Sequence, residues 1–478
     1  MNVLMVVSEC APFLKTGGLA DVAGALPAAL SEHGVSSRTL MPAYRALKPL
    51  LAKGKEVAVL DGLPGGSARV VAVTAEGIDL LLLDQPDLYD RDGGPYVSPQ
   101  GRDWDDNHIR FAALAMAGAR ICAEGLDGWR PQIAHAHDWQ AALLPVYLKQ
   151  MEITDVKSVL TIHNIAFQGR FGPHVLGELG LRSDWFHPEA LEYYGDLGFL
   201  KGGLTMADQI TTVSPTYAQE ILTPQFGAGL DGVLRARAHR LTGILNGIDL
   251  DVWNPATDAE LAQTYDARSL KRKAQTRAAL QDRLGLSSDS KGPLFCVVSR
   301  LTEQKGLDVL LDAVPHLVAK GGQLAVLGSG DPVLEQGFQR AADQFAGQVG
   351  TFIGYDEAFS HQLQGGSDAI LIPSRFEPCG LTQLYGLRYG TLPVVTQTGG
   401  LADTIVDANV AAIGAGVATG FKVYDLTLEG LNSTLDRVFE VYQTPKRWQT
   451  MQRAAMKNAF DWDASALEYL NVYKALHA

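Results

Sequence analysis

Glu377 stands at the bend of SRFEPCGLTQLYG, Ser374 to Gly386. A carboxylate there can accept hydrogen bonds from hydroxyls, and Pro378 stiffens the backbone beside it. It can equally favour the positive end of the following helix while Cys379 packs, and the Glu-Pro pair by itself leaves both roles open. Gly380, Leu381 and Thr382 stand near that helix start, where unpaired N–H groups suit a phosphate or a sugar oxygen. Arg300 and Lys305 lie on either side of the Leu301 to Gln304 turn. A forked donor and a point charge at that spacing can grip a diphosphate, and solvated surface is the other role open to them. In the first half, Lys15 precedes Gly17 and Gly18, and Asp21 follows within TGGLAD. HAHDW places His135 and His137 on one face of a strand, with Asp138 and Trp139 at its end. That pair recruits no further ligand, so Asp138 reads as a helix cap or a sugar ligand rather than part of a metal site. His163 and Asn164 end the strand of TIHN. Two polar residues beside other strand ends favour ligand contact over a satisfied core histidine. Asp249-Leu250-Asp251 matches a metal–diphosphate pattern, but its turn-rich setting reads as a structural linker. No metal or cofactor is expected.

These residues need elements to hold them. Val3 to Ser8 reads as a buried strand, followed by a glycine turn and a helix over Leu19, Val22, Ala23 and Leu26. Strand-like runs follow at Ala68 to Val73 and Ile78 to Leu83, then a long Asp-, Gly- and Tyr-rich loop, Tyr89 to Asn107, that contains Tyr96. Ile109 to Cys122 has helical spacing; the strands of HAHDW and TIHN and the run Gln209 to Val213 complete the first series. Near Gly247 periodicity gives way to turns, and Tyr265 to Leu284 is charged and helical. A second series opens with Leu294 to Leu301, and strands at Gln323 to Leu327, Thr351 to Ile353, Ala369 to Ile372 and Leu392 to Val395 follow. Two strand–helix series of about five strands each predict two doubly wound α/β domains with parallel sheets, their strand ends facing a common cleft. The boundaries fall at residues 1–245 and 246–460, with 461–478 an amphipathic helix crossing back to the first domain. TGGLAD recurs at Thr398 to Asp403, which gives each domain a glycine turn.

Composition narrows the function classes. A chain of 478 residues exceeds one ordinary core. A net charge of −13 argues against a nucleic-acid or membrane surface. Cys10, Cys122, Cys296 and Cys379 are scattered without a CxxC pair, which fits reduced thiols in the cytoplasm. The apolar run at Val3 to Val7 is too short for a signal segment, and no run is long enough to span a membrane.

KTGGLADV, HAHDWQ, TIHN, NGID, SRLTEQKG, GYDEAFSH, SRFEPCGLTQLYG and TGGLADT occur in the order found in bacterial glycogen synthases, whose pattern this chain resembles from residue 15 to about 403. The resemblance implies two Rossmann-like domains of GT-B architecture. It also implies a retaining transfer of glucose from ADP-glucose to the non-reducing end of an α-1,4-glucan, without a metal. By motif position, Lys15, Gly17, Gly18 and Asp21 meet the donor. Arg300 and Lys305 neutralise the departing ADP, and Glu377 holds glucose hydroxyls. His163 and Asn164 lie near the sugar, and Asp138, Trp139 and Tyr96 contact sugar or acceptor. Tyr355 forms the adenine platform, and Cys379, Gly380, Leu381 and Thr382 form the diphosphate turn. A nicotinamide oxidoreductase would carry GxGxxG where this chain has KTGGLAD. A non-catalytic glucan-binding scaffold would lack the phosphate grip of Lys15, Arg300 and Lys305.

Overall fold

The computed structural model describes residues 1–458 and 460–477. The chain divides into two compact units, Met1–Gly247 with Trp462–Ala478, and Ile248–Asp461.

The first unit is built on a nine-stranded sheet. Its parallel part comprises β1 (Asn2–Val6), β2 (Ser36–Pro42), β5 (Ile78–Asp84), β6 (Ile133–His137), β7 (Lys157–Ile162), β11 (Gln209–Thr212) and β12 (Leu241–Gly243). β3 (Lys55–Leu63) and β4 (Gly66–Ala75) extend it, giving the order β12-β11-β7-β6-β1-β2-β5-β4-β3. Strands covered on both faces read as continuous apolar runs, and β1 is buried from Val3 onward. The sheet is parallel as expected from β12 through β5, and the last two strands add an antiparallel extension. β4 pairs antiparallel with β5 and with β3, because the turns at Pro64-Gly65 and Glu76-Gly77 are too short for a crossover. β3 is the exposed edge, and its Lys55 and Glu56 blunt it. A small antiparallel sheet of β8 (Arg170–Phe171), β9 (Glu192–Tyr193) and β10 (Asp196–Gly198) stands apart. The helix Gly18–Ser31 buries Leu19, Val22, Ala23, Leu26 and Leu30, one stripe at helical spacing. The helix Trp462–Ala475 packs against it.

In the second unit, six parallel strands lie in the order β15-β14-β13-β16-β17-β18. These are β13 (Leu294–Val298), β14 (Gln323–Gly328), β15 (Val349–Ile353), β16 (Ala369–Ile372), β17 (Leu392–Thr396) and β18 (Phe421–Val423). The stretch Tyr265 to Leu284 is helical only from Leu270, as a short 3-10 turn and the helix Lys273–Arg283. Before it, Asp266 closes an Asx-type turn on Arg268 N and Ser269 N, which competes with helical pairing.

Both sheets share one topological feature. From β1 the chain adds β2 on one side and later β6 on the other; from β13 it adds β14 on one side and later β16 on the other. Each unit therefore has a switch point at which loops leave in opposite directions, opening a crevice at the carboxyl ends of the strands. An aromatic stack supports the crevice in the second unit. Trp253 lies between His361, with centroids 3.9 Å apart, and Tyr385, at 3.6 Å, both near-parallel. Tyr385 belongs to the helix Thr382–Tyr389 that follows Glu377. Burying three large rings fixes that helix more firmly than its eight residues could by themselves.

Candidate active site

At the switch point of the second unit, β13 delivers Arg300 and Lys305, and β16 delivers Glu377. Glu377 is buried, and its Oε2 accepts from Lys305 Nζ at 2.5 Å and from Ser374 Oγ at 2.9 Å. The two loops are stitched together around this pair. Arg375 N donates to Gln304 O at 2.8 Å, and the Arg375 guanidinium forks onto Asp308 at 2.7 and 2.6 Å. That fork holds the Asp308 carboxyl below the usual carboxylate range. Arg300 is exposed, and its guanidinium has no hydrogen-bond partner among the described residues. One cation is thus anchored on the carboxylate while the other faces solvent.

Two glycines let the backbone close around Glu377. At Gly306, φ is +63°, and a Cβ would lie 1.9 Å from Pro373 O. At Gly399, φ is +42°, and a Cβ would lie 1.9 Å from Glu377 O. Gly400 N then donates to Glu377 O and Pro378 O at 3.3 and 3.1 Å. The second TGGLAD is therefore a brace behind the Glu377 turn, and any side chain at Gly399 would displace it. Gln383 Nε2 ties Cys379 O and Gly380 O at 2.9 and 3.0 Å, which fixes the turn leading into Thr382. Tyr355 lies just beyond β15, 75 % exposed, its hydroxyl donating to Glu357 at 2.9 Å.

The first unit assembles its candidates at the other switch point. β1 runs out into Ser8 and Glu9, and Glu9 Oε2 accepts from both Thr16 N and Thr16 Oγ1 at 2.6 Å. Burial raises the Glu9 carboxyl, and the Thr16 bonds oppose that rise. This carboxylate folds the loop that presents Gly17 and Gly18. Lys15, half-exposed, donates to Asp21 at 2.7 Å. Tyr96 OH and Ser8 Oγ are 2.7 Å apart, so the long loop is moored over the end of β1. Buried Arg110 secures the same loop through Leu88 O and Pro95 O, both at 2.9 Å.

Asp138 is buried with φ of +55°, a left-handed conformation that Asp and Asn tolerate best. It is not a simple cap: its Oδ1 accepts from His163 N at 2.6 Å and from Asn164 N at 3.4 Å, tying the end of β6 to that of β7. Trp139 packs edge-on against Phe111 at 5.0 Å and beside Phe171 and Phe199. Burial pushes the Asp138 carboxyl up to about 7. A carboxyl raised on folding binds its proton more tightly in the native state. Its contribution is therefore complete below the unfolded value of 3.8 and is lost as pH rises through about 7. Asp138→Asn cannot ionise and still accepts from both N–H groups. Its melting temperature is expected to rise relative to wild type between about pH 5 and about pH 8, as thermal melts across that range would show. A constant difference across the range would contradict the assigned ionisation.

Asp249 Oδ1 accepts from Asp251 N and Val252 N at 2.8 and 3.0 Å, so its carboxylate folds the linker turn. Among the described residues no group of three His, Cys, Asp or Glu is arranged to hold a metal ion.

Residues 2–236 match the family described as starch synthase catalytic domain, and residues 281–453 match glycosyl transferases group 1. Glycogen synthase from Roseobacter denitrificans is 57% identical over 476 residues, covering 100% of this chain and 99% of the relative. Glycogen synthase 1 from Rhizobium meliloti is 55% identical, with both chains fully covered. This chain belongs to the glycogen synthase family. The catalytic domain of starch synthase IV from Arabidopsis thaliana, bound to ADP and acarbose, matches with a TM-score of 0.87 at 32% identity and 99% coverage of both chains. The fold is accordingly of the GT-B glycosyltransferase type, two α/β units with parallel sheets, and the protein is a glycosyltransferase enzyme.

Among glycogen synthase motifs, the structure brings Lys305 and Glu377 into contact, and likewise Asp138, His163 and Asn164. It keeps Arg300 and Tyr355 at exposed loop positions of the second unit. Sequence reasoning passed over three contributors. Glu9 was visible as a charge ending an apolar strand, and Ser374 as the residue three before the carboxylate. His137 was weighed only as a metal ligand, although it stands beside Asp138 on β6.

Proposed function

We propose that this glycogen synthase family member transfers glucose from ADP-glucose to the non-reducing 4-hydroxyl of an α-1,4-glucan, with retention at the anomeric carbon. The observation that carries the reading is the contact of Lys305 with Glu377 at the switch point of the second unit, where the loop leaving β13 also carries Arg300. A crevice at parallel strand ends suits a nucleotide, and the relative bound to ADP and acarbose supports both ligand classes. Lys305 Nζ gives one of its three donors to Glu377, leaving two for a phosphate oxygen. Arg300 supplies a second, forked cation. As the sugar–phosphate bond breaks, its electron pair goes to the distal phosphate of ADP, whose added charge these cations offset. The acceptor hydroxyl attacks the anomeric carbon, and its proton passes to the departing phosphate oxygen. Glu377, with Oε2 already held by Lys305 and Ser374, acts as an acceptor for glucose hydroxyls rather than as a nucleophile.

Lys15, Gly17, Gly18 and Asp21 are assigned to the donor by family pattern, and Tyr96, Asp138, Trp139, His163 and Asn164 to sugar and acceptor. Tyr355 is assigned to adenine, and Cys379 to Thr382 to the diphosphate. No metal is assigned, because cationic side chains fill that role and Asp249 is used by its turn. None of the described helices is long and apolar enough to cross a membrane. Four buried free thiols support a reducing, cytoplasmic setting. Neither nucleic acid nor membrane is assigned as a partner. Steady-state ADP or UDP release with glycogen tests the reading. kcat/KM is expected to be higher with ADP-glucose than with UDP-glucose, and turnover is expected to persist in excess EDTA. Comparable or better use of UDP-glucose would overturn the donor assignment. Loss in EDTA with recovery on adding metal would overturn the cationic grip.

A further inference from the structure

His135, His137 and His163 form a buried row. His135 and His137 lie with ring centroids 4.1 Å apart, and His137 and His163 stack at 5.3 Å. His135 is satisfied at both nitrogens, by Tyr473 OH at 2.8 Å and by Thr161 Oγ1 at 2.6 Å. The row continues only through His137 Nδ1, which lies 3.0 Å from His163 Nε2. His137 Nε2 is buried and has no partner among the described residues. Burial holds all three rings well below the ordinary histidine range, so each is neutral near pH 7.

Two neutral imidazoles sharing one hydrogen bond have two arrangements. In one, His163 Nε2–H donates to His137 Nδ1, and the His137 proton sits on Nε2 as a buried donor without an acceptor. In the other, His137 Nδ1–H donates to His163 Nε2, and the orphan is only an unused lone pair. A buried N–H without an acceptor is the rarer defect in folded proteins, an under-used acceptor the milder one. The second arrangement is therefore the one the site adopts, and it puts the His163 proton on Nδ1. No described residue takes up that nitrogen.

We infer that His137 is a positioning residue that fixes the ring of His163 as a hydrogen-bond donor, presenting Nδ1–H to a hydroxyl oxygen of the bound sugar. The neighbouring Asp138 fixes the backbone of His163 through its N–H at 2.6 Å. The dipeptide His137-Asp138 thus holds His163 twice, ring and main chain. The sugar in this statement rests on the proposed glucosyl transfer; the tautomer does not.

The test separates the two. Long-range 1H–15N correlation spectra of 15N-histidine-labelled protein, with His163 identified by the signals lost in His163→Asn, are expected to show the Nδ1–H tautomer near neutral pH. In His137→Phe, which keeps a flat ring and removes the donor, that signature is expected to shift toward Nε2–H. kcat with ADP-glucose and glycogen is then expected to fall roughly tenfold, the size of one net hydrogen bond, with KM little changed. His137→Asn, whose amide nitrogen falls near the Nδ1 position, is expected to restore both readouts. A wild-type Nε2–H tautomer overturns the inference, and so does an unaltered His163 signature in His137→Phe. If His137→Phe does not fold, the wild-type spectrum still decides. A confirmed tautomer in a protein unable to use ADP-glucose would instead refute the proposed donor and leave the positioning role standing.

Discussion

Glu377→Gln is expected to retain the fold and to lose at least about 10²-fold in kcat, with a much smaller change in donor affinity. The amide fills the same volume between Lys305 and Ser374, and the loop ties from Arg375 and Gly400 do not involve the carboxylate. What the variant lacks is the anion. Glutamine cannot offer an anionic oxygen to glucose hydroxyls as positive charge develops at the anomeric carbon, and it leaves the Lys305 cation without its counter-charge. Steady-state kinetics with ADP-glucose, beside a titration of ADP binding, separates the two effects. Near-wild-type kcat would reduce Glu377 to a residue that merely supports the following helix.

Lys305→Ala is expected to lower kcat by roughly 10²-fold with a smaller change in KM, because its charge acts most strongly on the departing phosphate. The structure adds a complication that the sequence did not show. Lys305 also neutralises buried Glu377, so its removal leaves a carboxylate without its cation and costs stability. The double variant Lys305→Met with Glu377→Gln separates that stability cost from the loss of turnover. It removes both charges, so its melting temperature is expected to recover toward wild type while kcat stays low. Recovery of turnover along with stability would mean that neither charge acts on the transferred group.

Much of the architecture could be read from periodicity. The inner strands β13, β14, β16 and β17 of the second unit are short, mainly apolar runs closed by polar turns, which is the pattern that burial on both faces imposes. β3 was less legible than β4 and β5, whose runs at Ala68 to Val73 and Ile78 to Leu83 read as strands. β3 alternates poorly and is largely exposed, so its sequence, KEVAVLDGL, resembles a loop as much as a strand. The helix before Leu284 was read too long because charge pattern does not register the Asp266 turn.

The candidate site was legible as residue types at strand ends, and partly as loops. Partners were not. No local pattern says that Lys305 reaches across to Glu377, since their contact depends on β13 and β16 being neighbours in the sheet. The same holds for Asp138 with His163, and for His137 with His163, which depend on β6 pairing with β7. The repeated TGGLAD shows the limit from the other side. Identical residues do different work, since a Cβ at Gly17 or Gly18 would meet no backbone within 4 Å, whereas one at Gly399 or Gly400 would press on the backbone of Glu377 and Cys379.

The proposed transfer of glucose from ADP-glucose to the non-reducing end of an α-1,4-glucan leaves a distinct labelled product. Incubation with glucose-labelled ADP-glucose and a maltooligosaccharide in excess EDTA, followed by chromatography, tests it most directly. One ADP is expected for each labelled glucose added, with the label recovered as maltose after digestion by a β-amylase, which works inward from the non-reducing end. Label resistant to that digestion, or ADP formed without chain extension, would contradict it.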